Sequence, residues 1–250
     1  LDTPIDVPRR RAWAVVGDQH FCPLSGELIH PLQEVNSRVT AFSVVTAAFS
    51  IVLSRLSEIP SVYVGTPFAL RMLASLQNLI GDFVNMVIFK VRHNPMDTFL
   101  VTLNNATRSA VEVQRHAMAP FLLLVNSLQR LYPTNDPARN AINQTMVDVV
   151  PKDSEEPNPS MSGILDIFLF ANTFRGQLWS IECTYNTTIL TKQTVRSILV
   201  QMPRLVTQAA RDAKTVMARE LSCMEEVQLV EQGRRLVLTH LRLRVGSLPH

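Results

Sequence analysis

At 250 residues, 46% hydrophobic and 18% charged, the chain has the composition of a globular protein with a sizeable core, which excludes a disordered chain. A net charge of +3 is too small an excess to point to nucleic acid as a partner. Cys22, Cys183 and Cys223 are odd in number and far apart, so they offer neither a metal-binding spacing nor a disulfide framework, and they fit a reducing cytoplasm.

In chain order, residues 1–11 carry Pro4, Pro8 and Arg9-Arg10-Arg11, the composition of a stiff, charged linker. The opening Leu1-Asp2-Thr3-Pro4 does not read as a signal peptide and is expected of a chain taken from an internal point of a longer one. Residues 12–24 alternate loosely and predict a strand. Ser25 is placed to cap a helix running to about Ser37, because its hydroxyl accepts the free N–H groups of a first turn.

From Thr40 to Leu56 apolar residues recur at helical spacing, which predicts a buried helix. The run is too interrupted for a membrane span, which needs about 18 apolar residues: Thr40, Ser43, Thr46, Ser50, Ser54 and Arg55 break it. Ser61 to Gly65 predicts a strand with a tight turn at Gly65-Thr66-Pro67, and Phe83 to Val91 a second strand. Asp97 to His116 returns to helical spacing, and Pro120 can open a further short helix, since its missing N–H costs nothing in a first turn.

Residues 151–163 are the clearest exposed loop. Thr145–Val150, Ile164–Ala171 and Gln177–Thr184 are strand-like, the last two meeting at a hairpin around Arg175-Gly176. Thr191 to Ala210 is an amphipathic helix with a kink expected at Pro203. Strands interleaved with long helices predict an α/β layered sheet.

Several segments invite a functional reading. In Ile80-Gly81-Asp82-Phe83-Val84-Asn85-Met86, Gly81 permits a positive φ or close backbone approach. Asn85 puts an amide among apolar neighbours; it either ties two backbone segments together or lines a channel. Asp166 alternates with apolar residues and is either exposed on an edge or paired. The stretch 68–78, with Phe68, Leu70, Met72, Leu73 and Leu76, is more apolar than a solvated loop and is expected to reach outward to a neighbour. Phosphate loops, nucleophile elbows, His-Glu-x-x-His and Cys-x-x-Cys are all absent, and no metal site is expected.

Four of these segments in order, Val64-Gly65-Thr66-Pro67, Ile80 to Met86, Ala119-Pro120-Phe121 and Asp136-Pro137-Ala138-Arg139-Asn140, resemble the second half of a condensation domain of non-ribosomal peptide synthetases. The resemblance covers residues 1–212. It implies a chloramphenicol-acetyltransferase-like sandwich lobe, with a mixed sheet and helices packed on one face. Residues 1–11 become an inter-lobe linker, 12–212 the C-terminal lobe, and 213–250 a tail or linker towards a following domain. Gly65, Thr66, Pro67, Gly81, Phe83, Asn85 and Asp166 are then expected along the substrate channel, and Pro120, Phe121, Arg139 and Asn140 as structural supports.

Departures accompany the match: Met86, Ala117, Met118, Leu122 and Ala138 stand where the family favours other residues. The family's catalytic His-His-x-x-x-Asp-Gly has no counterpart among the isolated His20, His30, His93, His116, His240 and His250, so no catalytic residue is expected here. The implied role is to shape the cleft where an amide forms between a phosphopantetheine-tethered acyl donor and an aminoacyl acceptor, with no cofactor bound directly. Implied partners are the N-terminal lobe, peptidyl carrier domains and an adjacent adenylation domain. The alternative is a non-catalytic condensation-like scaffold or carrier-protein docking module.

Overall fold

The computed structural model describes residues 17–24, 28–94, 96–131, 142–152, 156, 158 and 165–211. The expected linker 1–11, the tail 213–250, the cap at Ser25, the supports Arg139 and Asn140, and most of the loop 151–163 lie outside the described residues.

Among the described residues six strands build one mixed sheet: β1 (Gly17–Pro23), β2 (Ser61–Ala69), β3 (Val84–Arg92), β4 (Thr145–Pro151), β5 (Ile167–Phe174) and β6 (Gln177–Asn186). Their spatial order is β1-β6-β5-β4-β2-β3. The pairs β2–β4 and β4–β5 are parallel, and β1–β6, β5–β6 and β2–β3 are antiparallel. The β5–β6 hairpin turns at Arg175-Gly176, whose φ angles of 50° and 79° give the doubly left-handed turn that matches the twist of a tight hairpin.

Among the described residues five α-helices accompany the sheet: α1 (His30–Val35), α2 (Ala41–Ser57), α3 (Phe99–Gln114), α4 (Phe121–Leu131) and α5 (Lys192–Arg211). Inward-facing Val62, Val64, Phe89, Val91, Val147, Ile167, Leu169, Ile181, Cys183 and Tyr185 join one apolar core with α2, α3 and α5. These helices therefore form a single layer on one face of the sheet, as expected. Helix α1 is shorter than the sequence predicted: no side chain caps it, and Pro31 stands in its first turn.

Helix α2 is the central element of that layer, and its hydroxyls explain how a polar-interrupted run is buried. Thr40 and Ser43 form a reciprocal cap: Ser43 N donates to Thr40 Oγ1 at 3.2 Å, and Thr40 N donates to Ser43 Oγ at 2.9 Å. Ser50 Oγ and Ser57 Oγ donate back to the carbonyls of Ala47 and Leu53, at 2.9 and 2.7 Å. Both are thus satisfied inside their own helix, and Ser54 Oγ donates to Ile59 O just beyond it, whereas Thr46 Oγ1 is buried without a hydrogen-bond partner. Glu58, with φ 57°, ends α2 in the left-handed region.

Candidate functional site

The Gly65-Thr66-Pro67 segment was expected to be a turn after a strand; it lies inside β2, which continues to Ala69. Proline survives there because of strand alternation. Leu70 N donates to Phe83 O, so residues 68 and 66 also exchange backbone bonds with β3, while Pro67 turns its nitrogen to the β4 side. On that side β2 meets β4 only at Gly65↔Met146, so the missing N–H forfeits no ladder bond. Gly65 itself is required by its surroundings: a Cβ there would collide with the side-chain amide of Asn143, lying 2.8 Å from its Cγ. That tight spot was assigned to Gly81, which has no positive φ and is exposed at the end of a loop.

Between β2 and β3, residues 70–83 project from the sheet as a loop organised by one side chain. Arg71 Nη1 donates to the carbonyls of Leu76 and Leu79, at 2.6 and 2.7 Å, and Nη2 donates to Gly81 O at 3.0 Å. Its guanidinium also lies 4.4 Å from the centre of the Phe83 ring, a cation–π contact. With its carbonyls gathered inward, the loop turns Met72, Leu73, Leu79 and Ile80 to solvent, Ile80 completely. This is the outward-reaching apolar stretch the sequence predicted, displaced a few residues because Phe68 and Ala69 remain in β2.

Asn85 ties backbone segments together. Its Nδ2 donates to the carbonyls of Ala117 and Ala119, at 2.7 and 2.8 Å, and its Oδ1 accepts from Phe121 N at 3.3 Å. The amide thereby fastens the turn between α3 and α4 onto β3 and holds the first turn of α4, which Pro120 opens: Leu123 N and Leu124 N donate to Pro120 O. Helix α4 buries none of its residues, and it exposes Leu122 (72%), Leu123 (63%) and Leu124, with Met118 (70%) just before it. His116 is exposed in the same turn.

The sheet face away from the main helical layer is also organised. The register places Ile88, Gly65, Met146, Phe168, Thr184 and Gln19 in one row across all six strands. Phe168 and Phe170 stack at 4.2 Å within a second apolar cluster with Met146 and Leu165. Beside it, the Glu182 carboxylate is 1% exposed. It accepts from Asn158 N at 2.9 Å and Asn158 Nδ2 at 2.5 Å, and Lys152 Nζ stands 3.6 Å away. Asn172 extends the network, accepting from Asn158 Nδ2 and donating to Ser180 Oγ, each at 2.9 Å. A buried carboxylate with a cation and amide donors around it is the arrangement in which a charge survives burial.

The seven expected channel residues therefore do not converge. Gly65 and Pro67 lie in β2 facing away from the main helices, while Thr66 and Asn85 point to the opposite side. Gly81 and Phe83 belong to the Arg71 loop. Asp166 is 2% exposed, which removes the exposed-edge reading, and its backbone links the start of β4 to the end of β6 through Gln144 O and Asn186 N. Asn143, Asn158, Glu182 and Arg71 were not anticipated. The alternation Ile181-Glu182-Cys183 is the signal that would have found Glu182, since it is the one that singled out Asp166.

Among the buried ionisable groups, desolvation pushes the Cys183 thiol far up, with Glu182 adding to the effect, so that thiol stays protonated. Burial first, then the neighbouring Asp18 carboxylate, raises the Tyr185 phenol to about 12. Neither group is poised for nucleophilic or acid–base work near neutrality. Among the described residues no His, Cys, Asp and Glu cluster could hold a metal, and no helix is long and apolar enough to cross a membrane.

A family model, the condensation domain, matches residues 4–228. In sequence, tyrocidine synthase 2 of Brevibacillus parabrevis is 29% identical over 148 residues, which is 58% of this chain and 4% of that protein. A plipastatin synthase polypeptide of Bacillus subtilis (strain 168) is 25% identical over 231 residues, 87% of this chain and 9% of that one. In structure, the holo-AB3403 four-domain nonribosomal peptide synthetase bound to AMP and glycine aligns with a TM-score of 0.73 at 16% identity, covering 90% of this chain and 19% of its own. The condensation domain from the monacolin K polyketide synthase MokA aligns at 0.69 and 16% identity, covering 87% of this chain and 52% of that one. A complex of the X-domain and OxyB from teicoplanin biosynthesis contains a chain that aligns at 0.69 and 19% identity, covering 89% of this chain and 52% of that one. The chain thus spans about half of such condensation-domain structures, 19% of the AB3403 chain and under a tenth of the tyrocidine and plipastatin synthases. Its mixed sheet with helices on one face is chloramphenicol-acetyltransferase-like, and the chain belongs to the condensation-domain family of nonribosomal peptide synthetases.

Proposed function

We propose that this chain is the C-terminal lobe of a peptide-synthetase condensation domain, acting in the cytoplasm, and that it shapes the cleft in which a tethered aminoacyl acceptor attacks a tethered acyl donor. The observation that carries this reading is the 70–83 loop: it is internally fastened by Arg71 yet turns Met72, Leu73, Leu79 and Ile80 outward. An ordered loop with an apolar outer surface is built to meet a second surface. A chain covering 52% of a condensation-domain structure leaves about a lobe's worth of that fold to supply it.

In this reading both substrates arrive as thioesters on the phosphopantetheine arms of carrier domains, and no cofactor is held by the lobe itself. The amine attacks the thioester carbonyl, the C–N bond forms, the C–S bond breaks, and the thiolate leaves with the carrier arm as a proton is lost from nitrogen. The lobe contributes position and orientation, which can supply much of the acceleration of a reaction between two tethered groups. The group that handles the amine proton belongs to the other lobe, since no histidine here stands beside another.

A second reading has its own support. Met118 and Leu122 replace polar residues of the family's pattern, and both are exposed. Such a surface suits a condensation-like scaffold that docks a carrier domain or an enzyme without catalysing amide formation. One experiment separates the two: the chain is mixed with a condensation-domain N-terminal lobe and with donor- and acceptor-loaded carrier proteins, and the dipeptidyl product is measured. The catalytic reading expects product only when both lobes are present, with no product from this chain alone. A stable two-lobe complex without product supports the scaffold, and turnover by this chain alone overturns both.

A further inference from the structure

At the opposite end of the β2–β3 hairpin from its apolar loop, the last residues of β3 and the start of the chain leading into α3 enclose an open groove of about 440 Å³. Its polar lining is Lys90, Arg92, His93, Asn94, Asp97 and Asn105. Among the described residues, neither Lys90 nor Arg92 has a carboxylate within ion-pair distance. The Lys90 ammonium instead lies 5.3 Å from the centre of the Tyr63 ring. The one carboxylate of the lining, Asp97, accepts from Asn94 N at 3.1 Å and so is engaged in its own turn.

Behind the groove the positive character deepens. Arg55, in the last turn of α2, has a buried Nη2 with no hydrogen-bond partner. Burial pushes the Arg55 guanidinium down to about 10. His93 is buried, with Nδ1 3.3 Å from Thr102 Oγ1, and its pKa is lowered by burial and then by the Arg55 charge, against a smaller opposing effect of Asp97. Two cations at the rim with no carboxylate partner among the described residues, in front of a further buried positive charge, are a configuration that an anion in the groove would relieve.

We propose that this groove receives an acidic segment of a protein partner, an extended stretch bearing successive carboxylates. The spacing of the donors selects this ligand over a single phosphate. Lys90 and Arg92 alternate along one strand and so lie roughly 7 Å apart, and the Asn94 and Asn105 amides line the same groove. One compact anion cannot touch all of them, whereas a segment with repeated carboxylates can place one at each. The free edge of β3 is partly closed to strand addition, because Ser109 Oγ donates to Lys90 O at 2.9 Å, so the contact runs through side chains. The groove makes no use of the channel residues and does not depend on amide formation.

The test uses the full chain and a labelled hexaglutamate peptide, with inorganic phosphate as a second probe, read by fluorescence anisotropy and by calorimetry. Saturable peptide binding is expected, weakened when salt is raised to about 0.5 M because rim charges are screened. The double variant Lys90→Gln, Arg92→Gln is expected to weaken it about tenfold, since it removes two partly exposed ion pairs of modest strength. Arg130→Gln, on α4, should leave it unchanged. Both substituted side chains are at least partly solvent-exposed, and an unaltered melting curve verifies that the double variant folds. Absence of peptide binding, an equal loss in the Arg130→Gln control, or binding of phosphate with none of peptide would each overturn the proposal.

Discussion

Two segments of this lobe are each held by one charged side chain, and the contrast between them separates what folds the protein from what equips it. Glu182, fully buried on the sheet, gathers Asn158 and Lys152 from the stretch that follows β4. Arg71, at the surface, gathers three carbonyls of the 70–83 loop. The first charge has no water to fall back on, so its partners are obligatory and its loss must be felt throughout the sheet. The second is exchanged against water at modest net gain, so its loss should be local. The anchor in the β4–β5–β6 region is therefore expected to matter to global stability, and the hairpin loop is a presented surface whose shape is set locally.

The contrast is broken most directly at Glu182. Glu182→Ala leaves Lys152 buried without its counter-charge and Asn158 without its acceptor, and is expected to cost about 3–5 kcal/mol in chemical denaturation. A loss below about 1 kcal/mol would show that water reaches the site and that the two charged anchors are alike. Gly65→Val should come next, at about 2–3 kcal/mol, because the new side chain must displace the buried amide of Asn143. Its counterpart in the loop, Gly81→Ala, meets only the edge of the Phe83 ring, at 3.0 Å, and should cost less than about 1 kcal/mol. Equal melting temperatures for the two glycine variants would overturn the assignment of the tight spot to β2.

Asn85 lies between the two regimes. Its three hydrogen bonds to backbone hold the α3–α4 turn, and Asn85→Ala is expected to cost about 1–3 kcal/mol and to raise amide exchange at Ala119, Phe121 and Leu122. Asn85→Asp keeps the acceptor but replaces the two donated bonds with repulsion from carbonyls, so it should be at least as damaging as alanine. A channel role would instead leave stability intact and alter only substrate handling, and equilibrium unfolding distinguishes the two outcomes.

The sequence was legible where one element decides its own fate. Helix α2 follows from its apolar spacing alone, and the β5–β6 hairpin from Arg175-Gly176 between two β-rich runs. It was opaque where the deciding partner is distant in sequence. Whether Pro67 ends β2 depends on how far β4 runs alongside it, and whether Gly65 or Gly81 is irreplaceable depends on where Asn143 lands. Asn85 could be recognised as an amide needing partners, but its partners are carbonyls more than thirty residues further along the chain. Glu182 passed unnoticed because Asn158, its main donor, sits in a polar loop that reads as solvated.

The smallest effect on stability is the most telling about the loop. Arg71→Ala removes three donated hydrogen bonds and the stack on Phe83, yet two of the bonds are exposed and the rest only half-buried, so water largely replaces them and global unfolding should change by less than about 1 kcal/mol. Local order should respond more strongly: with Leu76, Leu79 and Gly81 carbonyls released, amide exchange across residues 72–82 is expected to accelerate while β4 and β5 keep their protection. Arg71→Lys supplies one ammonium in place of a planar fork and cannot reach all three carbonyls in the same geometry, so it should restore only part of the protection. If Met72, Leu73, Leu79 and Ile80 are presented to a second lobe, the alanine variant must also weaken that association, because the surface then has to be ordered at the moment of contact. Unchanged exchange in Arg71→Ala would mean that the loop holds its shape without the clasp, and the contrast with Glu182 would then lie in burial alone.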